Sequence, residues 1–178
     1  MPIAGIVASQ IQGHLFASNF EAIQSQTLTS AISTVSFTGI PQTYTHLQLR
    51  MTTTTTTSGR IQMTWNSNAT ANQATEWMYG NATTSNGDYA TGLTYLAVGY
   101  TDGSSYPNYT VCDIPSYTNT TLNHSFKSFN GYSNNTSSSW VAQFVGSTQS
   151  SSAINRIDLV ANSGNFNIGS TFTLYGIK

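Results

Sequence analysis

The side chains able to perform acid, base or metal chemistry are few and scattered in this chain of 178 residues. Its three histidines lie far apart and show none of the His-x-x-x-His spacing that places two metal ligands on one face of an element; they are His14, His46 and His124. The six carboxylates are isolated as well, and most lie in or beside turns, where aspartate caps backbone amides; they are Glu21, Glu76, Asp88, Asp102, Asp113 and Asp158. A glycosidase needs two carboxylates facing one cleft, about 5 to 10 Å apart. The sequence therefore favours no catalytic pair.

Nucleophilic and cofactor chemistry have no better candidates. The Gly-x-Ser-x-Gly motif, phosphate-binding glycine loops and dinucleotide fingerprints are all absent from the sequence. Cys112 is the single cysteine, so the chain forms no internal disulfide, and we expect Cys112 to be a small buried apolar residue. We predict a protein that is not an enzyme, with no catalytic residue, no metal and no cofactor.

Charge is unusually scarce, which limits the kinds of partner. Charged residues make up 6% of the chain and the formal net charge is −1, so the counterion release that drives nucleic-acid binding is missing. No run approaches the roughly 20 apolar residues of a membrane span, and the first residues lack the basic start of a secretion signal. We expect neither nucleic acid nor membrane as a partner.

Alternation of apolar and polar residues dominates from Thr34 onward and predicts strands. In residues 46–51, for example, Leu47, Leu49 and Met51 share one face. The predicted strands cover residues 34–37, 47–67 as one long hairpin, 75–79, 94–101, 108–114, 125–132, 139–146, 154–161 and 171–177. This number of short strands predicts an all-β, antiparallel two-sheet sandwich, with the jelly roll as the favoured version.

Turn chemistry separates the predicted strands. Asn and Gly tolerate the positive φ of tight turns, and we expect such turns at residues 86–88, 102–103, 130–131 and 164–165. Within the hairpin, the threonine run at residues 52–57 has no apolar face, so we expect it to extend the hairpin outward to a sheet edge or tip.

The first 32 residues differ from the rest, and we divide the chain into an arm, residues 1–32, and a sandwich domain, residues 33–178. Apolar residues in the arm recur irregularly, as neither a helix nor a strand. One interpretation is an extended arm that docks on another subunit, and the other is a segment that packs on its own domain. A short amphipathic helix at residues 18–26 fits either. The predicted partner-binding residues of the arm are Ile3, Ile6, Val7, Ile11, Leu15, Phe16 and Phe20.

The aromatic residues, with three tryptophans and ten tyrosines, allow three roles. They fill the interior of the sandwich, form a subunit interface, or provide platforms on which sugar rings stack. The candidate platform residues are Trp77, Tyr79, Tyr106 and Tyr109.

Three segments resemble a group of tailed-phage virion structural proteins: residues 37–51 (FTGIPQTYTHLQLRM), 112–121 (CDIPSYTNTT) and 154–178 (INRIDLVANSGNFNIGSTFTLYGIK). The closing pair of strands is the most specific part of this resemblance. It implies a β-sandwich of the capsid decoration, or cement, type on the outer surface of the virion. It also implies a homotrimer that contacts and bridges major capsid protein subunits. The alternative is a tail or head fibre module that binds host surface glycans.

Overall fold

A computed structural model describes residues 19–81, 83–103, 106–133 and 139–178. In these ranges every regular element is a β-strand, and no helix is long and apolar enough to cross a membrane. The strands are β1 (Phe20–Thr27), β2 (Thr34–Thr38), β3 (His46–Thr53), β4 (Ser58–Trp65), β5 (Gln73–Asn81), β6 (Thr84–Leu93), β7 (Leu96–Asp102), β8 (Asn108–Pro115), β9 (Ser125–Ser133), β10 (Ser139–Thr148), β11 (Arg156–Ala161) and β12 (Thr171–Ile177).

The strands form two antiparallel sheets, which confirms the predicted all-β sandwich. The larger sheet has eight strands in the order β1-β12-β3-β8-β9-β10-β5-β6, and the smaller has four in the order β2-β11-β4-β7. A jelly roll has eight strands in two sheets, whereas here one sheet alone has eight. The jelly-roll version therefore stays a prediction.

The core lies between the two sheets and follows from the alternating pattern. Leu47, Leu49 and Met51 of β3 are buried as predicted, and Ile157 and Leu159 of β11 are buried in the smaller sheet. Strand β7 packs against β8, β9 and β10 of the larger sheet. The sandwich is thus held by apolar side chains from both sheets, each contributing about 1.5 to 3 kcal/mol when fully buried.

The last strand is an integral part of the larger sheet. β12 lies between β1 and β3, and Phe172 and Leu174 are fully buried. Cys112, on β8, is also fully buried, and this burial raises the pKa of its thiol. The strand at residues 171–177 and the buried position of Cys112 both agree with the predictions made from the sequence.

The predicted hairpin of residues 47–67 is wrong. Strand β3 pairs with β12 and β8 in the larger sheet, whereas β4 pairs with β11 and β7 in the smaller one. The threonine run between them crosses from one sheet to the other. Thr53 and Thr55 are buried, and Thr55 Oγ1 donates a hydrogen bond to Thr101 Oγ1 at 2.9 Å. Thr53 and Thr55 thus contribute to the core, whereas Thr56 and Thr57, at the end of the run, are exposed.

Two of the four predicted turns fall inside strands. Asn86 and Gly87 belong to β6, since the β5–β6 hairpin turns between the paired residues Asn81 and Thr84. Asn130 belongs to β9, where its buried side chain accepts from the Tyr100 amide and donates to a threonine hydroxyl. The predicted turns at residues 102–103 and 164–165 are present, with positive φ at both glycines.

Residues 20–27 form strand β1, not an amphipathic helix. β1 pairs with β12 along its length, so this part of the predicted arm lies in the sandwich. Gln24 and Gln26 donate side-chain hydrogen bonds to carbonyls of β2, at 2.7 and 2.8 Å. The side chains of β1 thereby join the edge of the larger sheet to the edge of the smaller one.

An ion pair between the partly exposed Arg156 and the buried Asp158 lies beside the edge strand β2 of the smaller sheet. Arg156 Nε donates to both carboxylate oxygens of Asp158, at 2.9 and 2.8 Å, and Ser36 Oγ donates at 2.6 Å. Burial alone would raise the pKa of the Asp158 carboxyl, but hydrogen bonds from Arg156, Ser36 and Ser67 and the charge of Arg156 outweigh it. The pKa is therefore held below its ordinary value of 3.8.

We expect Asp158→Asn to lower the free energy of unfolding at pH 7 by about 1 to 3 kcal/mol, because three donors lose a charged acceptor. A carboxyl with a lowered pKa in the folded state stabilises the protein above pH 3.8 and loses this effect as the pH falls through the folded-state pKa. The difference between wild type and variant should therefore shrink toward pH 2.5, as measured by urea unfolding. The control is Asp113→Asn, at the exposed pair with Lys127, which should cost less than about 1 kcal/mol.

Candidate functional site

The candidate site is the outer face of the eight-stranded sheet, the face turned away from the four-stranded sheet. Strand register aligns its residues in rows across β5, β10, β9 and β8. Met78 pairs with Gln143, Gln143 with Phe129, and Phe129 with Val111. In the next row Val141 lies between Gly80 and Gly131, and Gly131 pairs with Tyr109.

These rows bring together large apolar side chains that stay exposed. Met78 is 63% exposed and Phe129 is 59% exposed. We call the exposed apolar residues of these four strands the apolar patch; they are Met78, Tyr109, Val111, Phe129, Val141 and Val145. An antiparallel sheet normally turns a polar face to water, and a contiguous exposed apolar surface marks an interaction site. The apolar patch is therefore the candidate interaction surface of the described residues.

The surface of the apolar patch contains two grooves. A groove of about 580 Å³ runs between Met78, Phe129 and Val141. Gly80 and Gly87 line the same groove, and their missing side chains keep it open. A second groove of about 590 Å³ on the same face is lined by Tyr89 and Val145, among others. Side chains of a partner can enter such grooves, which favours a complementary protein surface over a flat contact.

A polar band borders the patch on the side of β3. Arg50 Nε donates to Gln48 Oε1, and Gln48 Nε2 donates to Asp113 Oδ1, both at 2.7 Å. Lys127 Nζ lies 3.8 Å from Asp113 Oδ2. Lys127 and Asp113 form an ion pair, whereas Arg50 is held by the neutral Gln48 amide and keeps its positive charge. Exposed pairs of this kind contribute about 0 to 1 kcal/mol.

Of the seven predicted partner-binding residues of the arm, only Phe20 lies in the described part of the chain. It lies on the same outer face, beyond the polar band, where its ring stacks on Tyr175 at 4.5 Å. The Arg50 guanidinium lies over both rings, at 4.9 and 5.1 Å. Ile3, Ile6, Val7, Ile11, Leu15 and Phe16 lie outside the described residues. A truncation that tests the arm has to end at residue 18, because removing residues 1–30 would also remove β1.

The four candidate platform aromatics do not share one surface. Trp77 is 7% exposed and stacks on Phe144 in the core, with the Arg60 guanidinium 4.3 Å from its ring centroid. Tyr79 stacks on Trp140 at 4.1 Å. Tyr109 belongs to the apolar patch on the opposite face of the sheet, and Tyr106 lies in the loop before β8.

The acid and metal chemistry considered above is not assembled in the described part of the chain. No group of three His, Cys, Asp or Glu side chains there is placed to hold a metal ion. His46 Nδ1 accepts from the Ser116 amide at 3.0 Å, and His124 Nε2 bonds the Ser152 carbonyl at 2.9 Å. Asp158 is held by Arg156. These contacts of His46, His124 and Asp158 stabilise the fold.

The sequence analysis did not identify the apolar patch, although the signal was present. In residues 140–146 (WVAQFVG), Ala142 and Phe144 point to the core while Val141 and Val145 are exposed. Residues 77–79 (WMY) likewise place apolar side chains on both faces of β5. Apolar residues on both faces are typical of a strand that is covered on both sides. Val141 and Val145 have no such cover among the described residues.

Comparison with known proteins adds no relative. No protein family model matches the chain, and no curated protein sequence matches it.

Proposed function

We propose that the protein is a capsid decoration protein of a tailed phage, which docks through the apolar patch onto the outer surface of the head. It would bridge neighbouring major capsid protein subunits and thereby oppose their separation. The observation that carries the proposal is the apolar patch on a rigid eight-stranded sheet. The resemblance of residues 37–51, 112–121 and 154–178 to phage virion proteins supplies the identity of the partner.

Trimerisation would strengthen this attachment. Each additional site of a homotrimer binds at the effective concentration set by the first, so modest contacts combine into a long-lived complex. The predicted arm, residues 1–32, would add contacts from residues 1–18. The alternative proposal, a tail or head fibre module that binds host surface glycans, gains support from the polar pocket described below, whereas the buried Trp77 offers it nothing.

Attachment tests the proposal directly. We expect the purified protein to co-sediment with undecorated heads and to lose less than about threefold in affinity between 0.05 and 0.5 M NaCl, because the patch is uncharged and salt screens only charges. Analytical ultracentrifugation of the free protein gives its oligomeric state in the same buffers. Failure to bind the heads, or a loss of more than about tenfold at high salt, would contradict the proposed contact.

A further inference from the structure

We propose a second binding site, a polar pocket of about 460 Å³ that takes a neutral saccharide unit. The pocket lies where the chain leaves β4, enters β9 and leaves β10. Eleven residues line it, of which two carry aromatic rings and nine carry amide or hydroxyl groups. Its volume is within the range of about 300 to 1,000 Å³ usual for ligand pockets. The site is independent of the decoration function proposed above.

The aromatic wall of the pocket is rigid. Trp65 and His124 are both nearly fully buried, and their rings meet edge to face, with centroids 5.9 Å apart and planes at 89°. The indole Nε1–H of Trp65 is fully buried and has no hydrogen-bond partner among the described residues. A buried donor without a partner costs about 1 to 3 kcal/mol.

His124 supplies an acceptor. Its Nε2 lies 2.9 Å from the Ser152 carbonyl oxygen, and a carbonyl can only accept, so Nε2 carries the proton. Burial lowers the pKa of His124 and outweighs the hydrogen bond to Ser152, which raises it. The ring is therefore neutral at pH 7, and Nδ1 is left as an acceptor for a ligand hydroxyl.

The loops around the pocket are fixed before any ligand binds. Gln73 Nε2 donates to the Asn68 carbonyl at 3.0 Å, and the Gln149 amide donates to the Asn72 carbonyl at 3.2 Å. Asn66 adopts a left-handed conformation, with φ of 53°, and its side-chain oxygen accepts from the backbone amides of Asn155 and Arg156 at the start of β11. A preorganised pocket avoids the ordering cost that weakens flexible sites.

The chemistry of the lining selects the class of ligand. None of the eleven lining residues is Asp, Glu, Lys or Arg, so an ionic ligand would be desolvated without a counter-charge. Side-chain amides and hydroxyls each donate and accept hydrogen bonds, and sugar hydroxyls do the same. A neutral polyhydroxylated ring matches this lining better than a charged or an apolar molecule.

Titration of the full-length protein with glucose, galactose, mannose, N-acetylglucosamine and maltose tests the site. Binding is followed by saturation-transfer NMR and by tryptophan fluorescence. We expect saturable binding of at least one of these sugars. We also expect an affinity at least about tenfold lower for Asn72→Ala/Gln149→Ala, which removes two rim amides at a cost of about 1.4 kcal/mol or more. Neither side chain is buried, so the variant should fold.

The matched control is Asn86→Ala/Gln143→Ala, which removes the same two side-chain types from the groove on the outer face. It should bind the sugar like wild type, whereas the pocket variant should bind heads like wild type. The saccharide site is overturned if none of the five sugars gives saturable binding, or if the pocket variant and wild type bind equally well. Loss of sugar binding in the control to the same extent also overturns it. Because head attachment is measured separately, failure of the pocket leaves the decoration proposal intact.

Discussion

Replacing Met78 and Phe129 together with threonine is expected to weaken attachment to phage heads by more than about 100-fold. A buried Met or Phe contributes about 1.5 to 3 kcal/mol, so losing two such contacts costs about 3 to 6 kcal/mol, and each 1.4 kcal/mol is tenfold in affinity. Both side chains are exposed in the free protein, and threonine is a good strand former. The free energy of unfolding should therefore change by less than about 1 kcal/mol. Co-sedimentation and urea unfolding measure the two quantities.

A matched control separates the apolar patch from apolar exposure in general. Leu122 and Ile168 are 65% and 67% exposed, close to the values of Met78 and Phe129, but they lie in the β8–β9 and β11–β12 loops. The double variant Leu122→Thr/Ile168→Thr should attach like wild type. An equal loss of affinity in both double variants would show that any exposed apolar residue contributes to non-specific attachment. Attachment like wild type in both variants would remove the apolar patch from the proposed function.

Local patterning was sufficient to predict most of the fold. Alternation located the strand at residues 171–177 to the residue and most others to within two or three residues. It could not assign strands to sheets, because a strand in either sheet has the same inward face. For this reason residues 47–67 were predicted as a hairpin, although β3 and β4 pair with strands far away in the sequence.

The two strands that the sequence analysis missed, β1 and β6, are edge strands. β6 is exposed at nearly every position, and β1 has one apolar residue, Ile23, packed on the core. Without a buried face there is no alternation to detect. Their strand conformation comes from pairing with β5 and β12, and that pairing depends on the tertiary structure.

The apolar patch and the polar pocket could not be predicted from the sequence for a related reason. Val141 and Phe129 read as core residues in the sequence, because burial cannot be assigned to one face until the sheet order is known. The polar pocket combines Trp65 and His124 with residues near 70 and 150, which are distant in sequence. The sequence did indicate the chemistry common to both sites, which is contact without charge.

Phe172→Ala is expected to remove about 3 to 5 kcal/mol from the free energy of unfolding. This is a large share of the roughly 5 to 15 kcal/mol typical of a domain. Phe172 is fully buried on β12, and its ring meets Phe166 edge to face at 5.0 Å. The alanine would leave a cavity in the core between the two sheets, beside Phe166. Urea unfolding followed by tryptophan fluorescence measures the change.

The control for this prediction is the adjacent residue on the opposite face of the same strand. Thr173 shares a hydrogen bond of 3.0 Å with the exposed Ser25 hydroxyl, so Thr173→Ala should cost less than about 1 kcal/mol. A similar loss in both variants would mean that β12 contributes through its backbone pairing rather than through its buried face. A loss below about 1 kcal/mol for Phe172→Ala would contradict the placement of this strand in the core, since no fully buried phenylalanine is removed so cheaply.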